Sequence, residues 1–418
     1  MRLAFVRGMT QSLSFSEPAR SLPVPRESDV LVVGGGIAGV SAAVCAARLG
    51  AKTLLVERYG YLGGITVGWP VPVVFQYGRP GGYFVQGIAR EIVDRLDALG
   101  GWVHPEEARS RHPHADGIFD TELLKLVLVE MCEEAGVELL LHSTLGNALT
   151  ENGRVVGVAV ENKSGRQALL GKITVDSTGD GDVAALAGAR SLPSENGDAE
   201  DPEGGTIGHC SFGVQIKGMS RERMKRLKEE EPERYERLAQ KFKIDSVGMI
   251  SFNMKGDATD AWDLTRMERE GSLNALRALR ALREELPGEE FAIDFVAAQF
   301  GVRLGRRIAG VKTLTHEAAA KLERRGDEIG LVAFQGGAAG IPYGCLVPER
   351  VDGLLMGSRS ISVEERMFGP IRLIGTAFAL GEAAGTAAGL SVRESVQPRD
   401  LEVATLRSQL QTQKALID

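Results

Sequence analysis

The apolar positions of this chain fall into short blocks whose spacing changes from strand-like to helix-like and back. Asp29-Val-Leu-Val-Val33 and Leu54-Leu-Val56 are apolar runs too short for helices. Between them, Gly34 to Gly50 is rich in glycine and alanine. Runs of this length bounded by glycine predict strands covered on both faces, with a small-residue helix between them. Gly87 to Leu99 predicts a helix with Ile88, Ile92, Val93 and Leu96 on one face. Thr121 to Ala135 predicts another, with Leu123, Leu124, Val127, Leu128 and Met131 as its stripe, Asp120 as N-cap and Gly136 as terminator. Val137 to Leu141 follows as a buried strand, and Leu145 opens the next strand or loop. Arg154–Val160 and Gln167–Leu170 flank Asn162-Lys-Ser-Gly165, a hairpin signal, and Ile173–Val175 is a further strand.

The remaining stretches are more polar. His104 to His114 reads as a proline-containing loop, and Arg190 to Gly205 as a linker rich in Ser, Glu, Asp, Pro and Gly. Met219 to Phe242 is densely charged and breaks at Pro232 into two solvated helices. Leu273 to Leu286 predicts an amphipathic helix whose leucines face a core. Leu354–Met356 is a third strand running into a loop, and Ala377 to Leu390 is a small-residue helix.

The first block carries chemistry. Gly34 permits a tight turn out of the strand, Gly36 lets backbone approach a pyrophosphate, and Gly39 lets the helix pack closely. The N–H groups at Ile37 and Ala38 open that helix and aim its dipole at phosphates. Glu57 lies 21 residues after Gly36, at the end of the next strand, where a carboxylate can accept hydrogen bonds from a ribose diol. Strand, turn, helix, strand and acid together predict a site for FAD or NAD. Arg58 follows the acid, and Gly63 and Gly64 place more bare backbone beside it.

Downstream, Val175-Asp-Ser-Thr-Gly-Asp-Gly-Asp182, Leu354-Leu-Met-Gly-Ser-Arg-Ser360 and Arg372-Leu-Ile-Gly-Thr376 occur in that order. With Glu17–Pro23, Gly60–Gly64, Arg303–Ile308, Ile341-Pro-Tyr343 and Gly381–Ala388, they resemble the bacterial FAD-dependent oxidoreductases of the glutathione-reductase-like, two-dinucleotide-binding-type flavoprotein superfamily. The resemblance implies an α/β fold, with a Rossmann-like FAD-binding domain, a central parallel sheet, a β-meander crossover and an inserted mixed α+β substrate domain. Residues 27–75, 115–190 and 331–395 would build the FAD domain, and 76–114 and 191–330 the substrate or cap domain. Residues 1–26 would be an extended arm and 396–418 a C-terminal helix. Non-covalent FAD would touch Gly34, Gly36, Ile37, Ala38, Gly39, Glu57, Arg58, Gly63, Gly64, Leu145, Thr178, Gly179, Asp180, Gly357, Ser358 and Arg359. Backbone at Ile374, Gly375 and Thr376 would face the flavin ring. The implied activity is hydride transfer between a small molecule and flavin N5.

Candidate substrate groups are His209, Arg303, Arg307 and Tyr343. His209 precedes the alternating strand Phe212–Ile216, and it can face either substrate or solvent. Arg303, Arg306 and Arg307 can hold a carboxylate or pair with acids at a domain junction. Tyr343 can offer a phenol to the flavin or simply pack. His112 and His114 lack a third ligand at a suitable spacing, so no metal is expected.

The 418 residues suggest two substructures, and 43% apolar with 25% charged residues suits a soluble globular protein. The net charge of −7 argues against a nucleic-acid partner. Fifty-two glycines fit a fold in which backbone approaches a large cofactor at several points. Cys45 and Cys132 fall in helix-like runs as small buried groups, while Cys210 and Cys345 could lie near a pocket. Their scatter predicts free thiols in a reducing compartment. No apolar run reaches membrane-spanning length. Met1–Arg7 is too short an apolar core for a signal peptide, so a cytoplasmic location is expected. Gly336-Gly-Ala-Ala-Gly340 runs into Pro342 and cannot open a second dinucleotide helix. Gly381, Gly385 and Gly389 suit close packing of a helix on the sheet. Transient NAD(P)H or oxygen is then the expected redox partner. Two rival readings remain: a thiazole-forming synthase of thiamine biosynthesis, which binds an adenine dinucleotide for different chemistry, and a non-catalytic flavin-binding protein.

Overall fold

The computed structural model describes residues 18–69, 73–74, 78–79, 82–83, 85–111, 115–193, 210–219, 221–241, 249–322 and 324–418. Apolar runs covered on both faces form its centre. The fingerprint strand Arg26–Val33 and its neighbour Thr53–Val56 are buried along their apolar lengths. They lie in a seven-stranded sheet ordered 138–140, 53–56, 26–33, 165–176, 154–162, 144–151, with 354–356 added beside 165–176. Strands 138–140, 53–56, 26–33, 165–176 and 354–356 run parallel, and 144–151 and 154–162 complete an antiparallel meander. The fold is thus α/β with a parallel-containing central sheet.

One strand does two jobs. Gly165–Asp176 is continuous for 12 residues where the sequence predicts two separate pieces. Its first half pairs with Arg154–Asn162, and its end pairs with Leu354–Met356. Gly171 interrupts the apolar pattern without breaking the strand. A Cβ there would lie 2.7 Å from the Leu31 side chain, so the glycine admits close packing.

Three helices and a strand differ from expectation. Pro105–Arg111 is helical rather than a loop, with proline at the first helical position and Glu106 and Glu107 in the first turn. The expected buried strand shrinks to Glu138–Leu140, half-exposed because it is the sheet's edge. The predicted leucine-faced helix begins at Ala261, capped by Asp260, and runs 25 residues to Glu285. Its core face is Met267, Gly271, Ala275, Ala278, Ala281 and Leu282, whereas Leu273 and Leu276 are 45% and 43% exposed. Gly271 turns the helix this way: a Cβ there would lie 2.3 Å from the Phe212 ring, so the small-residue stripe takes the sheet.

The helix Ile374–Glu394 is longer than predicted at both ends and packs on the fingerprint helix Ile37–Arg48. A Cβ at Gly381 or Gly385 would lie 2.1 Å from the Ala38 carbonyl oxygen or 2.0 Å from that of Ala42. The glycine repeat therefore serves helix–helix contact rather than helix–sheet contact.

A second sheet, ordered 249–254, 210–217, 292–296 with 301–302 also against 210–217, carries its own apolar core under the helix 261–285. Its central strand Cys210–Lys217 is buried on both faces for most of its length, not alternating as the sequence suggests. The charged region forms two helices, Arg221–Glu230 and Pro232–Lys241. The expected linker lies, from residue 194 onward, outside the described residues. No single helix among the described residues is long and apolar enough to cross a membrane.

Candidate functional site

Parallel strands ending at Val33, Val56, Asp176 and Met356 bring their carboxyl ends to one edge, where open α/β sheets bind ligands. A cavity of about 660 Å³ lies there.

Its floor is the fingerprint. Gly34 has φ +106°, which makes the turn, and a Cβ at Gly39 would lie 1.8 Å from the Gly34 carbonyl oxygen. Gly39 therefore packs behind the turn rather than lining the cavity. A Cβ at Gly36 would meet nothing within 4 Å, so this glycine leaves open space at the helix start. The first fingerprint-helix bond is Val40 N–H to the Gly36 carbonyl. The N–H groups of Ile37 and Ala38 thus have no acceptor within the helix and border the cavity. Gly63 and Gly64, both at positive φ, lie against Gly36 and complete that wall.

Glu57 is buried at the end of its strand and borders the cavity. Its carboxylate accepts from the N–H groups of Gly35 at 2.6 Å and Tyr59 at 2.8 Å, so it also ties together the two turns. Arg58 is exposed beside it, within 3.4 Å of the Gln299 amide oxygen.

The turn after Asp176 forms another wall. Asp176 is fully buried and accepts from the Thr178 N–H and hydroxyl and the Ala184 N–H, at 3.1, 2.6 and 3.0 Å. Burial pushes this carboxyl up to about 6 against those hydrogen bonds. The turn it shapes presents Thr178, Gly179 and Asp180 to the cavity. Arg359 reaches across to Asp180 at 2.7 Å, and Arg306 to Asp182 at 2.8 Å. The Arg359 Nε is buried and has no acceptor among the described residues. Ser358, Leu145 and Ile374 also line the cavity.

Other expected residues lie elsewhere. Gly357 is behind the wall, accepting from the Ser177 hydroxyl at 3.2 Å, while Gly375 and Thr376 are buried just behind Ile374. Arg307 is buried and donates to the Val363 carbonyl at 2.9 Å and to Glu365 at 3.1 Å. It is held in a buried ion pair and does not line the cavity. The Tyr343 hydroxyl is buried and donates to the Pro398 carbonyl at 2.8 Å, away from the cavity. His209, His112 and His114 lie outside the described residues. All four cysteines are free and buried, and burial pushes the Cys210 and Cys345 thiols up to about 12. Among the described residues no group of three or more His, Cys, Asp or Glu is arranged to hold a metal.

The lining also includes Asp182 from the quoted turn and Arg306 from the arginine cluster, together with Thr66, Gln299, Phe300 and Val302, which no motif assigns to the site. Val302 lies on the second sheet's short strand, and Gln299 and Phe300 on the connection leading into it. They are seated by the Ala298 N–H to the Gly68 carbonyl at 2.7 Å and the Trp69 indole N–H to the Ser211 carbonyl at 2.9 Å. No local sequence pattern marks contacts between such distant segments.

The family described as FAD dependent oxidoreductase matches residues 29–336 and 332–410. The chain belongs to this family. As a member of the FAD-dependent oxidoreductase family it has FAD as its cofactor. The open space at Gly36, the bordering N–H groups and the orphaned Arg359 Nε fit that cofactor. The chain is also 37% identical over 165 residues to the thiamine thiazole synthase of Aeropyrum pernix, covering 38% of this chain and 53% of that protein. The match therefore spans about half of that relative's length. The myxobacterial chondrochloren halogenase CndH, a new variant of FAD-dependent halogenases, is 12% identical with a TM-score of 0.50. That likeness covers 92% of this chain and 78% of the halogenase, and shows a shared fold.

Proposed function

We propose that this FAD-dependent oxidoreductase belongs to the glutathione-reductase-like superfamily and passes a hydride between a small molecule and the cofactor, in the cleft between the two sheets. When bound, FAD would supply the redox chemistry of hydride transfer. The residues of the chain bind and orient. Ile37 and Ala38 N–H groups, with Gly34, Gly36, Gly63 and Gly64, would hold the pyrophosphate. Glu57 would accept from the ribose, in addition to its two backbone donors. Leu145, Thr178, Gly179, Asp180, Ser358 and Arg359 would wall the cofactor's remaining length. The helix start at Ile374 would offer N–H groups to the flavin ring. Residues 27–75, 115–190 and 331–395 would form the cofactor domain. The second sheet, within 191–330, would close over the reacting face with Gln299 and Phe300.

The observation that carries this reading is the cavity itself, which joins the glycine turn, the Asp180–Arg359 pair and Gln299 from three distant parts of the chain. A visible spectrum of the purified protein, then anaerobic reduction with NADH, NADPH and a metabolite panel, tests it. A flavin band bleached by one donor is expected. Protein that takes up no added FAD overturns the reading.

The likeness to thiamine thiazole synthase favours one second reading, an adenine-dinucleotide enzyme of different chemistry. It predicts bound NAD or a thiazole adduct in the extract of the purified protein.

A further inference from the structure

The turn after the strand 165–176 is fastened by two distant segments. Arg359 pairs with Asp180, while Arg306 pairs with Asp182 and reaches the Asp180 carbonyl at 3.3 Å. Gly305 lies so close that a Cβ there would clash with an Asp180 carboxylate oxygen. Gly305 and Arg306 continue the chain from the second sheet's short strand Gly301–Val302, and Arg303 in the same stretch does not border the cavity. Thr178, Gly179, Asp180 and Asp182 all do. One turn therefore walls the cofactor space and receives the chain arriving from the second sheet.

Asp176 builds that turn from within. One of its carboxylate oxygens accepts from the N–H and the hydroxyl of Thr178, and the other accepts from the Ala184 N–H. The Thr178 hydroxyl, its hydrogen committed to Asp176, accepts in turn from the Asp182 N–H at 2.9 Å. Both ends of the turn thus hang on a single side chain that only accepts. That is the work of the ionised form, because a proton on the carboxyl turns one acceptor position into a donor facing other donors.

The surroundings do little to hold that charge. Its partners in the sheet, Val33 and Met356, are apolar. The fingerprint helix brings Gly39, and the return helix Ala384, against the adjoining Ser177 and Gly357. Among the described residues, Asp182 is the charged group whose field reaches it, with Asp180, Arg306 and Arg359 farther along the turn. Burial is the largest influence and pushes the carboxyl up to about 6, with Asp182 adding to it.

We propose that Asp176 is the positioning residue for the cofactor: its carboxylate sets the turn that walls FAD, so the ionised form holds FAD and protonation loosens it. The proposal rests on reading the cavity as the FAD site. Asp176 touches no ligand itself and takes no part in hydride transfer.

The test dialyses the FAD-loaded full chain against graded FAD between about pH 5 and pH 8 and reads bound flavin by absorbance. Binding that expels one proton from a group titrating at about 6 weakens about tenfold from pH 7 to pH 5. Asp176→Asn keeps an acceptor but carries no charge. It should bind FAD at pH 7 about as weakly as the wild type does at pH 5, and lose that pH dependence. Thr178→Val keeps the side chain's shape and removes the hydroxyl donor, so the midpoint of the profile should move up in pH. Glu57, Asp180 and Asp182 also border the cavity, but they remain in both variants, so the difference from wild type belongs to Asp176. A profile that Asp176→Asn shares, or a wild type that binds FAD as tightly at pH 5 as at pH 7, overturns the proposal. So does an unmoved midpoint in Thr178→Val, which decides the matter should Asp176→Asn fail to fold. Wild-type protein that takes up no FAD at any pH is a different failure, that of the underlying reading, and it removes this proposal too.

Discussion

Glu57 and the fingerprint glycines show how much a single position can carry. Glu57 satisfies two backbone donors and still borders the cavity, so Glu57→Ala should weaken FAD binding by about 1–3 kcal/mol, the scale of a lost hydrogen bond to a charged group. Flavin fluorescence titration measures this, and an unchanged Kd would mean the acid does not meet the ribose. Gly36 and Gly39 should behave oppositely. Gly36→Val places its side chain in open space, so the protein should keep its melting temperature but lose FAD. Gly39→Ala drives a methyl into the Gly34 carbonyl, so the protein should lose stability by about 1–3 kcal/mol or more. Thermal unfolding and flavin content of both variants separate the two roles. These residues were legible because their spacing is local. Arg307 and Tyr343 were not, since their partners Glu365 and Pro398 lie 58 and 55 residues away. A sequence does not say which polar side chains find such partners.

Periodicity located most helices and strands, but it misjudged which face is buried when a distant ring decides the matter. Phe212 against Gly271 rotates the helix 261–285 so that alanines meet the sheet. Leu273→Ser should therefore change stability by no more than about 0.5 kcal/mol, whereas Leu282→Ala should cost about 2–5 kcal/mol. Equal losses in chemical denaturation would restore the leucine-faced core. The return helix holds a second consequence. Glu382 is buried where that helix meets Gly87, and burial lifts its carboxyl to about 8. Between its ordinary value of 4.5 and about 8, the folded protein keeps a proton that the unfolded chain releases. Its contribution is thus intact at acid pH and is lost as pH rises through the folded value. Glu382→Gln should gain in melting temperature relative to wild type between about pH 5 and pH 8. A difference that stays constant over that range would place the proton elsewhere.

At the scale of the molecule, the cavity borders the turn after the fingerprint strand, the turn after Asp176, the loop at Arg359, the start of the return helix and the second sheet. A ligand touching all of these binds only the folded chain. FAD at about 100 times its Kd should therefore stabilise the protein by about 2.7 kcal/mol, read as a rise in melting temperature with FAD concentration. The sequence alone specified the glycine turn, the acid after the second strand, the hairpin before Asp176 and the order of the segments that meet at the cavity. Each rests on residues within one or two turns of chain, where glycine torsions, strand length and capping act locally. Tertiary packing set the rest: the union of two apolar runs into one strand through Gly171, the seat of the glycine repeat on the fingerprint helix, and the Gln299 side of the cleft. These depend on close approach between segments more than 100 residues apart, and the fit of one surface to another is written in no single stretch of either.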